Sequence, residues 1–262
     1  MPGVIDPVAT DSVDLLVFDL DDTLAPSKSN LPPRMALLIA ELLELVDVGV
    51  ISGGQFGQFE SQLLTGLPSS ATSLFGRLHL LPTCGTQYYR YDGGWKQQYA
   101  ENLTAEQKQS TLSILETCAK RLGLWESRTW GPILEDRGSQ ITFSALGQEA
   151  PVDAKKAWDP TGAKKEALRA AAAPLLPELE VRSGGSTSID VTRKGIDKAY
   201  GMRKLVALTH TPIERMLFVG DRLDVGGNDY PVKATGVRTV AVTDWQDTAD
   251  FVADFIRRAR LG

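Results

Sequence analysis

Two cysteines in 262 residues, Cys84 and Cys118, leave no basis for a disulfide framework or a cysteine-rich zinc centre. A reducing, cytoplasmic setting is therefore expected. Two histidines, His79 and His210, make histidine chemistry a poor starting point, and both read as structural. Basic charge is not in excess: 28 Lys and Arg face 33 Asp and Glu, for a net charge of −5, which argues against a nucleic-acid partner while leaving room for a local basic pocket. Long apolar runs are missing too. The most hydrophobic stretch, Met35 to Ile51, is broken by Glu41, Glu44 and Asp47, so no membrane span and no membrane partner is expected. The first residues, MPGVIDPVATDSVD, lack the basic and apolar regions of a signal peptide. Neither an internal repeat nor a low-complexity linker is visible. What remains is ordinary globular material, 42% hydrophobic and 23% charged, long enough for one large domain or two modest ones, as a monomer or homodimer.

The periodicities give an order of elements. Val13 to Phe18 reads as a buried strand, Pro33 to Leu45 as an amphipathic helix, DVGVISGG as a second strand ending in a Ser-Gly-Gly turn, and QFGQFESQLL as the next helix. That alternation is the grammar of an α/β, doubly wound, Rossmann-like parallel sheet, whose strand C-termini carry ligand sites. From about Cys84 the texture changes. TQYYRYDGGWKQQY reads as a hairpin, Thr104 to Leu122 as a helix with a Thr cap, ILEDRGSQITFSALGQ as two strands, Gly162 to Leu175 as a helix, and Glu178 to Val191 as one strand interrupted by Gly184-Gly185. Alternation resumes with a helix from Asp197 to Leu208, strands at RMLFVGD and RTVAV, and a closing helix from Thr248 to Arg260. The expectation is a core of residues 1–85 and 190–262 with an inserted α+β cap of residues 86–189, which would hold Trp95, Trp125, Trp130 and Trp158.

Four short stretches then fall on one edge of the sheet: DLDDT after the first strand, Ser52 after the second, KGIDK at a helix start and VGDRLDVGGND after a later strand. Asp19, Asp21 and Asp22 crowd the end of a buried strand, an arrangement that costs free energy unless a cation compensates. Carboxylates, a hydroxyl and an ammonium together suit Mg²⁺-assisted phosphoryl transfer, with hard oxygen ligands for the ion and a carboxylate nucleophile. An extended chain would point Asp19 and Asp21 the same way.

These motifs resemble the haloacid dehalogenase superfamily, in its branch with a large cap inserted between the second and third motifs, and within it the eukaryotic-type phosphomannomutases and their sugar-phosphatase relatives. The resemblance implies that Asp19 forms an aspartyl-phosphate and that Asp21 is the general acid and base, offering its backbone carbonyl to Mg²⁺. It implies that Ser52 bonds the phosphoryl group while Gly53 and Gly54 let backbone N–H groups approach it. Lys198, in GIDK like the mutase GWDK, would screen Asp19 from the phosphate and matches better than Lys194. Asp19, Asp21 and Asp221 would hold Mg²⁺, with Asn228 and Asp229 positioning ligands or waters. Among the carboxylates, Asp22, Asp224 and Asp229 have the stronger claim to structural roles.

The same resemblance assigns substrate contacts to the cap. Arg137 matches one sugar-phosphate arginine, Gln148 stands where a second would be, and Lys155 where a third would be. GGSTSIDV matches the mutase GGQISFDV, making Ser188 and Asp190 candidate contacts, and Lys28 replaces another mutase arginine. Gln has no charge and Lys lacks the guanidinium fork, so the grip on a second phosphate is weaker. Ser52 also departs from the mutase VVGGS and resembles the phosphatases. A Mg²⁺-dependent phosphatase acting on a phosphorylated sugar is therefore the expectation, with a hexose phosphate mutase as the alternative. A non-catalytic sugar-phosphate binder or a dehalogenase is less in keeping with a full set of catalytic positions.

Overall fold

The computed structural model describes residues 12–261. They fall into two compact units, Met1–Tyr99 with Ile196–Gly262, and Ala100–Gly195 inserted between these two segments. The first unit is built on β1 (Leu15–Phe18), α1 (Pro33–Leu45), β2 (Asp47–Ile51), α2 (Phe56–Gln62), β3 (Leu78–Leu81), β4 (Gln87–Tyr91), β5 (Trp95–Ala100), α6 (Lys198–Thr209), β10 (Met216–Gly220), β11 (Arg238–Ala241) and α7 (Trp245–Ala259). Its seven strands lie in the order β11-β10-β1-β2-β3-β4-β5. Neighbours from β11 to β3 are parallel, as in Leu15↔Met216 and Leu15↔Asp47, which confirms the doubly wound sheet.

Both faces of β1 are buried, and its side chains alternate between two cores. Leu16 and Phe18 join Met35, Ile39 and Leu42 of α1 and Val252, Phe255 and Ile256 of α7, whereas Leu15 and Val17 join Met202 and Leu205 of α6. A strand covered on both sides has to be apolar throughout, which is why LLVF carries no polar residue. Helix α1 starts at Pro33, where a missing N–H costs nothing, and α7 is capped by Asp244, which accepts from the backbone of Gln246 and Asp247.

The first boundary differs from the expectation. The hairpin of β4 and β5 extends the core sheet, with β4 antiparallel to β3, and so belongs to the first unit. Its aromatic residues explain the choice: Tyr89 stacks on Phe56 at 3.8 Å, and Tyr91 and Trp95 pack around Phe75. Trp95 thus leaves the inserted unit with three tryptophans. The second boundary moves from residue 190 to the Gly195–Ile196 link, because β9 pairs on both sides with strands of the inserted unit.

The inserted unit comprises α3 (Ala105–Arg121), β6 (Leu134–Asp136), β7 (Gln140–Ser144), α4 (Val152–Trp158), α5 (Ala163–Ala172), β8 (Leu179–Ser183) and β9 (Ser188–Arg193). Its antiparallel sheet runs β6-β7-β9-β8. Helices α3 and α5 cover it through Leu115, Cys118, Ala119, Leu168 and Ala172, packed with Ile141, Phe143, Ile189 and Val191. Thr104 and Gln107 close a reciprocal capping box at the start of α3. The stretch Glu178 to Val191 is a hairpin of two strands, not one interrupted strand: Gly184-Gly185 lies in the turn between β8 and β9. Among the described residues no helix is long and apolar enough to cross a membrane.

Candidate active site

Asp19 stands one residue beyond β1, its N–H still bonded to the Val219 carbonyl at 3.1 Å, so the sheet itself fixes its position. Lys198 opens α6 behind the cap of Asp197, which accepts from Tyr200 N at 2.9 Å. Asp221 follows β10, and Asp229 closes the loop that begins there. The backbone at Gly220 passes so near Asp229 that a Cβ would lie 2.4 Å from its Oδ2, which requires glycine. These elements bring three carboxylates and one ammonium together. Lys198 Nζ lies 2.6 Å from Asp19 Oδ1 and 2.5 Å from Asp229 Oδ1, with all three side chains buried. Carboxyl oxygens of Asp19, Asp221 and Asp229 lie within 4.8 Å of one another.

Burial opposes the charge on Lys198, but the carboxylates of Asp19 and Asp229 outweigh it and hold the ammonium above the ordinary lysine range. One ammonium cannot neutralise three carboxylates. Burial pushes Asp19 well up, against the pull of Lys198, and burial followed by the charge of Asp229 pushes Asp221 up. A hard divalent cation bound by oxygen would relieve that excess, so the donor set fits Mg²⁺. Lys194 is exposed and Lys198 buried, so only the second lysine belongs to the site.

Thr23, fully buried, donates its hydroxyl to Asp221 Oδ1 at 3.2 Å and accepts from Asp221 N at 3.1 Å. It ties the first loop to the third and carries a role that the sequence reading left unassigned, although it ends the quoted DLDDT. Ser52 is buried just beyond β2, and its Oγ accepts from Gly54 N at 3.1 Å. Thr83 and Cys84, at φ of 48° and 56°, donate their N–H groups to Gly54 O and Ser52 O at 2.9 Å. A left-handed β-branched residue is strained, and here that turn clamps the Ser52 loop. Gly53 lies beside it, half-buried.

Asp21 corrects the expectation of two parallel carboxylates. The chain does not continue extended after Asp19; it turns over Asp21–Ala25, with Asp22 at φ 62°. The Asp21 carboxylate faces α2, where it takes Gln58 Nε2 at 2.9 Å, Gln62 Nε2 at 3.2 Å, Lys28 N at 2.8 Å and Lys28 Nζ at 3.3 Å. Burial raises its pKa, yet Lys28 and these bonds bring it below the usual carboxylate range. It stands outside the three-carboxylate cluster, so only its backbone carbonyl remains for a metal. Asp229 corrects in the other direction: it is a fully buried partner of Lys198. Asn228 is exposed on the same loop.

In the inserted unit the candidate contacts form separate groups. Asp190 Oδ1 accepts from Gln140 Nε2 at 2.8 Å and Thr142 Oγ1 at 2.7 Å. Ser188 Oγ and Asp190 Oδ2 would each lie 2.8 Å from a Cβ at Gly184. Gln148 donates to Ser144 Oγ at 2.6 Å, and Lys155 Nζ donates to the Gln148 carbonyl at 2.7 Å. Ser188 is the register partner of Ser144, so Gln148, Lys155 and Ser188 gather at one end of β7. Arg137 lies at the other end, its N–H on Gln140 O, and pairs with Glu135 at 2.7 Å.

A doubly wound sheet with buried acids and a lysine at its strand C-termini, interrupted by an α+β insertion, defines an enzyme of the haloacid dehalogenase superfamily. Solved structures agree on the fold: the chain is similar to the IMP-nucleotidase of Plasmodium falciparum (TM-score 0.70, 16% identity, 95% of this chain and 64% of that one). It is also similar to a haloacid dehalogenase-like hydrolase from Bacteroides thetaiotaomicron (TM-score 0.62, 17% identity, 92% and 99%). The profile of the family described as eukaryotic phosphomannomutase matches residues 35–258, and the chain belongs to that family. It is 24% identical to the phosphomannomutase of Encephalitozoon cuniculi over 97% of this chain and 98% of that one. It is 27% identical to phosphomannomutase 1 of Homo sapiens over 89% and 88%. The profile match begins after Asp19 and Asp21, whereas the match to the Encephalitozoon cuniculi phosphomannomutase, over 97% of this chain, extends across both.

Proposed function

We propose that the chain catalyses Mg²⁺-assisted phosphoryl transfer that isomerises a hexose phosphate. The observation that carries the phosphoryl-transfer chemistry is the buried ammonium of Lys198 shared by Asp19 and Asp229, with Asp221 alongside. Asp19 Oδ1 is held by Lys198 and by Leu20 N at 2.7 Å, which leaves Oδ2 to attack phosphorus. As the new P–O bond forms, the bond to the sugar oxygen breaks and its electron pair leaves with that oxygen; Asp21, once it has left the donors that hold it ionised and has taken up a proton from solvent, supplies that proton. Lys198 favours the ionised form of Asp19 against the pull of burial and offsets the repulsion between carboxylate and phosphate dianion. Mg²⁺, held by Asp19, Asp221 and the Asp21 carbonyl, would neutralise charge on the phosphoryl oxygens. Ser52, its Oγ accepting from Gly54 N, and the Gly53 N–H would cradle those oxygens, and a second sugar hydroxyl would take the phosphoryl group as the P–O bond to Asp19 breaks, its proton passing to Asp21.

Isomerisation replaces the expected hydrolysis as the first reading. Relatives matched over nearly their whole length are phosphomannomutases, and Lys155, whose ammonium bonds the Gln148 backbone carbonyl, would bring one positive charge beside the uncharged Gln148. Hydrolysis stays as the second reading, because Gln148 has no charge with which to retain a second phosphate. Residues of the inserted unit, Ser188 and Asp190 among them, would choose the sugar, with Lys28 of the first unit as a further phosphate contact. The test measures isomerisation of mannose 1-phosphate and release of phosphate side by side, with Mg²⁺ and a hexose bisphosphate activator. Isomerisation should exceed release, and Lys155→Ala should raise KM for the sugar phosphate about tenfold, the worth of one charge-assisted contact. Release in excess of isomerisation would make the chain a phosphatase.

A further inference from the structure

The Asp21 carboxylate has a donor on every side. Oδ1 takes Lys28 N and Gln62 Nε2, and Oδ2 takes Gln58 Nε2 and Lys28 Nζ. The donors hold each other as well: Gln58 Oε1 accepts from Lys28 Nζ at 2.7 Å, and Gln58 Nε2 also donates to Gln62 Oε1 at 2.9 Å. Gln58 and Gln62 are four residues apart on α2, so one helix face presents both amides. Gln62 is buried, an unusual place for an amide unless its bonds are used. A second feature shows that room was made for this arrangement. A Cβ at Gly54 would lie 2.0 Å from Gln58 Oε1 and 2.6 Å from its Cδ, so the Gln58 amide lies flat against the loop that carries Ser52 only because residue 54 is glycine.

We propose that Gln58, Gln62 and Lys28 form a latch that holds Asp21 turned toward α2, and that Gln58 is the positioning residue whose release lets Asp21 reach the sugar oxygen. The latch rests on the reading of Asp19 as nucleophile and Asp21 as proton donor. With both oxygens occupied by donors from α2 and Lys28, a leaving oxygen beside Asp19 has to compete with those donors for either of them. Proton transfer then requires the carboxylate to give up its bonds to α2, and these bonds set how often it does so. Esters differ in their need for that motion. A sugar alkoxide needs its proton as the P–O bond breaks, whereas 4-nitrophenolate leaves without one.

The experiment compares Gln58→Ala and Gln58→Glu with the wild type in the full chain with Mg²⁺. Two rates are read: the pre-steady-state burst of 4-nitrophenolate, which reports attack by Asp19 alone, and turnover of the sugar phosphate. Glutamate keeps the size of glutamine and its contact with Lys28 but repels Asp21, and it carries the test if the alanine variant is unstable. The ratio of sugar-phosphate turnover to burst rate should rise about threefold to tenfold in the variants, the factor carried by one ordinary hydrogen bond, with the burst rate itself unchanged. A merely structural Gln58 would lower both rates together and leave the ratio still, and an unchanged or lowered ratio overturns the latch. Asp19→Asn, run beside them, separates the two ideas. A burst that survives in that variant refutes phosphoryl transfer through Asp19, whereas a lost burst with an unmoved ratio in the Gln58 variants refutes the latch alone.

Discussion

The two edges of the core sheet both carry charged residues, and they balance them differently. At the N-terminal ends of the strands, Asp47 meets Arg77 Nε at 2.9 Å and His79 Nε2 at 3.4 Å, and the remaining Arg77 nitrogens donate to Leu43 O and Leu45 O at the end of α1. Arg90 bonds Gly76 O and His79, and Asp14 pairs with Arg215. Each charge there ends on an opposite charge or on a carbonyl that a helix end or turn leaves open. At the C-terminal ends, Asp19, Asp221 and Asp229 share one ammonium. A fold gains nothing from that excess. The first edge is charged in order to close the structure, and the second remains short of positive charge until a ligand brings it.

The contrast is sharpest under substitution. Asp19→Asn should lower Mg²⁺-dependent turnover of an aryl phosphate by about 10³-fold or more, since an amide is not a competent nucleophile. The same variant should be no less stable than the wild type without metal, because it removes one of three crowded charges. Arg77→Ala at the other edge should do the reverse, keeping turnover while losing about 1–3 kcal/mol as Leu43 O, Leu45 O and Asp47 lose their donor. Urea unfolding and initial rates on both proteins check the pair, and a functional edge that is costly to neutralise would erase the distinction.

Lys198→Met is the next largest effect. It keeps the volume of the side chain but leaves Asp19 and Asp229 buried without a counter-charge, at a cost of about 3–5 kcal/mol. Mg²⁺ should recover part of that loss, because it is the other source of positive charge for the same carboxylates. Urea midpoints with and without Mg²⁺ read the recovery, and a variant as stable as wild type in metal-free buffer would mean that the ammonium is not balancing the acids.

Much of this was legible in the chain. LLVF with no polar residue could only be a strand covered on both faces, and Asp19, Ser52, Lys198 and Asp221 fell on one edge because a parallel sheet puts every strand C-terminus there. The hairpin of β4 and β5 is legible but its unit is not, since alternation reveals a strand without naming the partner, and Phe56 and Phe75 decide it from far away in sequence. Asp229 looked structural and Asp21 looked parallel to Asp19 because spacing does not report a turn at Asp22 or a bond to Lys198. Gln58 and Gln62 carried no signal at all beyond their four-residue offset. Mutase and phosphatase could not be separated by Gln148 alone, because spacing does not report that α4 brings the Lys155 ammonium onto the Gln148 backbone carbonyl.

Acid should act on the two edges in opposite directions, and this is the smallest of the effects. Burial, against the bond to Asp47, lowers His79 below its ordinary 6.5, so the unfolded chain takes up the proton first and this edge loses stability as pH falls below about 6.5. Asp47 adds to the loss further down, since burial raises it but the bonds to His79 and Arg77 bring it below 3.8 overall. Asp221 behaves in the opposite sense. Its carboxyl is raised by burial and then by Asp229, so the folded protein binds that proton more tightly than the unfolded chain, and stability falls as pH rises above 3.8 through the folded value. His79→Gln should therefore flatten the fall in urea midpoint between about pH 6.5 and pH 5. Asp221→Asn should leave that slope in place and raise the midpoint of the metal-free protein at neutral pH. The gain is modest because Asp221 is only half-buried and water screens it. Mg²⁺ should reverse the order of wild type and Asp221→Asn at neutral pH, since only the wild type offers the third carboxylate; an order that Mg²⁺ does not change would place Asp221 with the structural charges of the other edge.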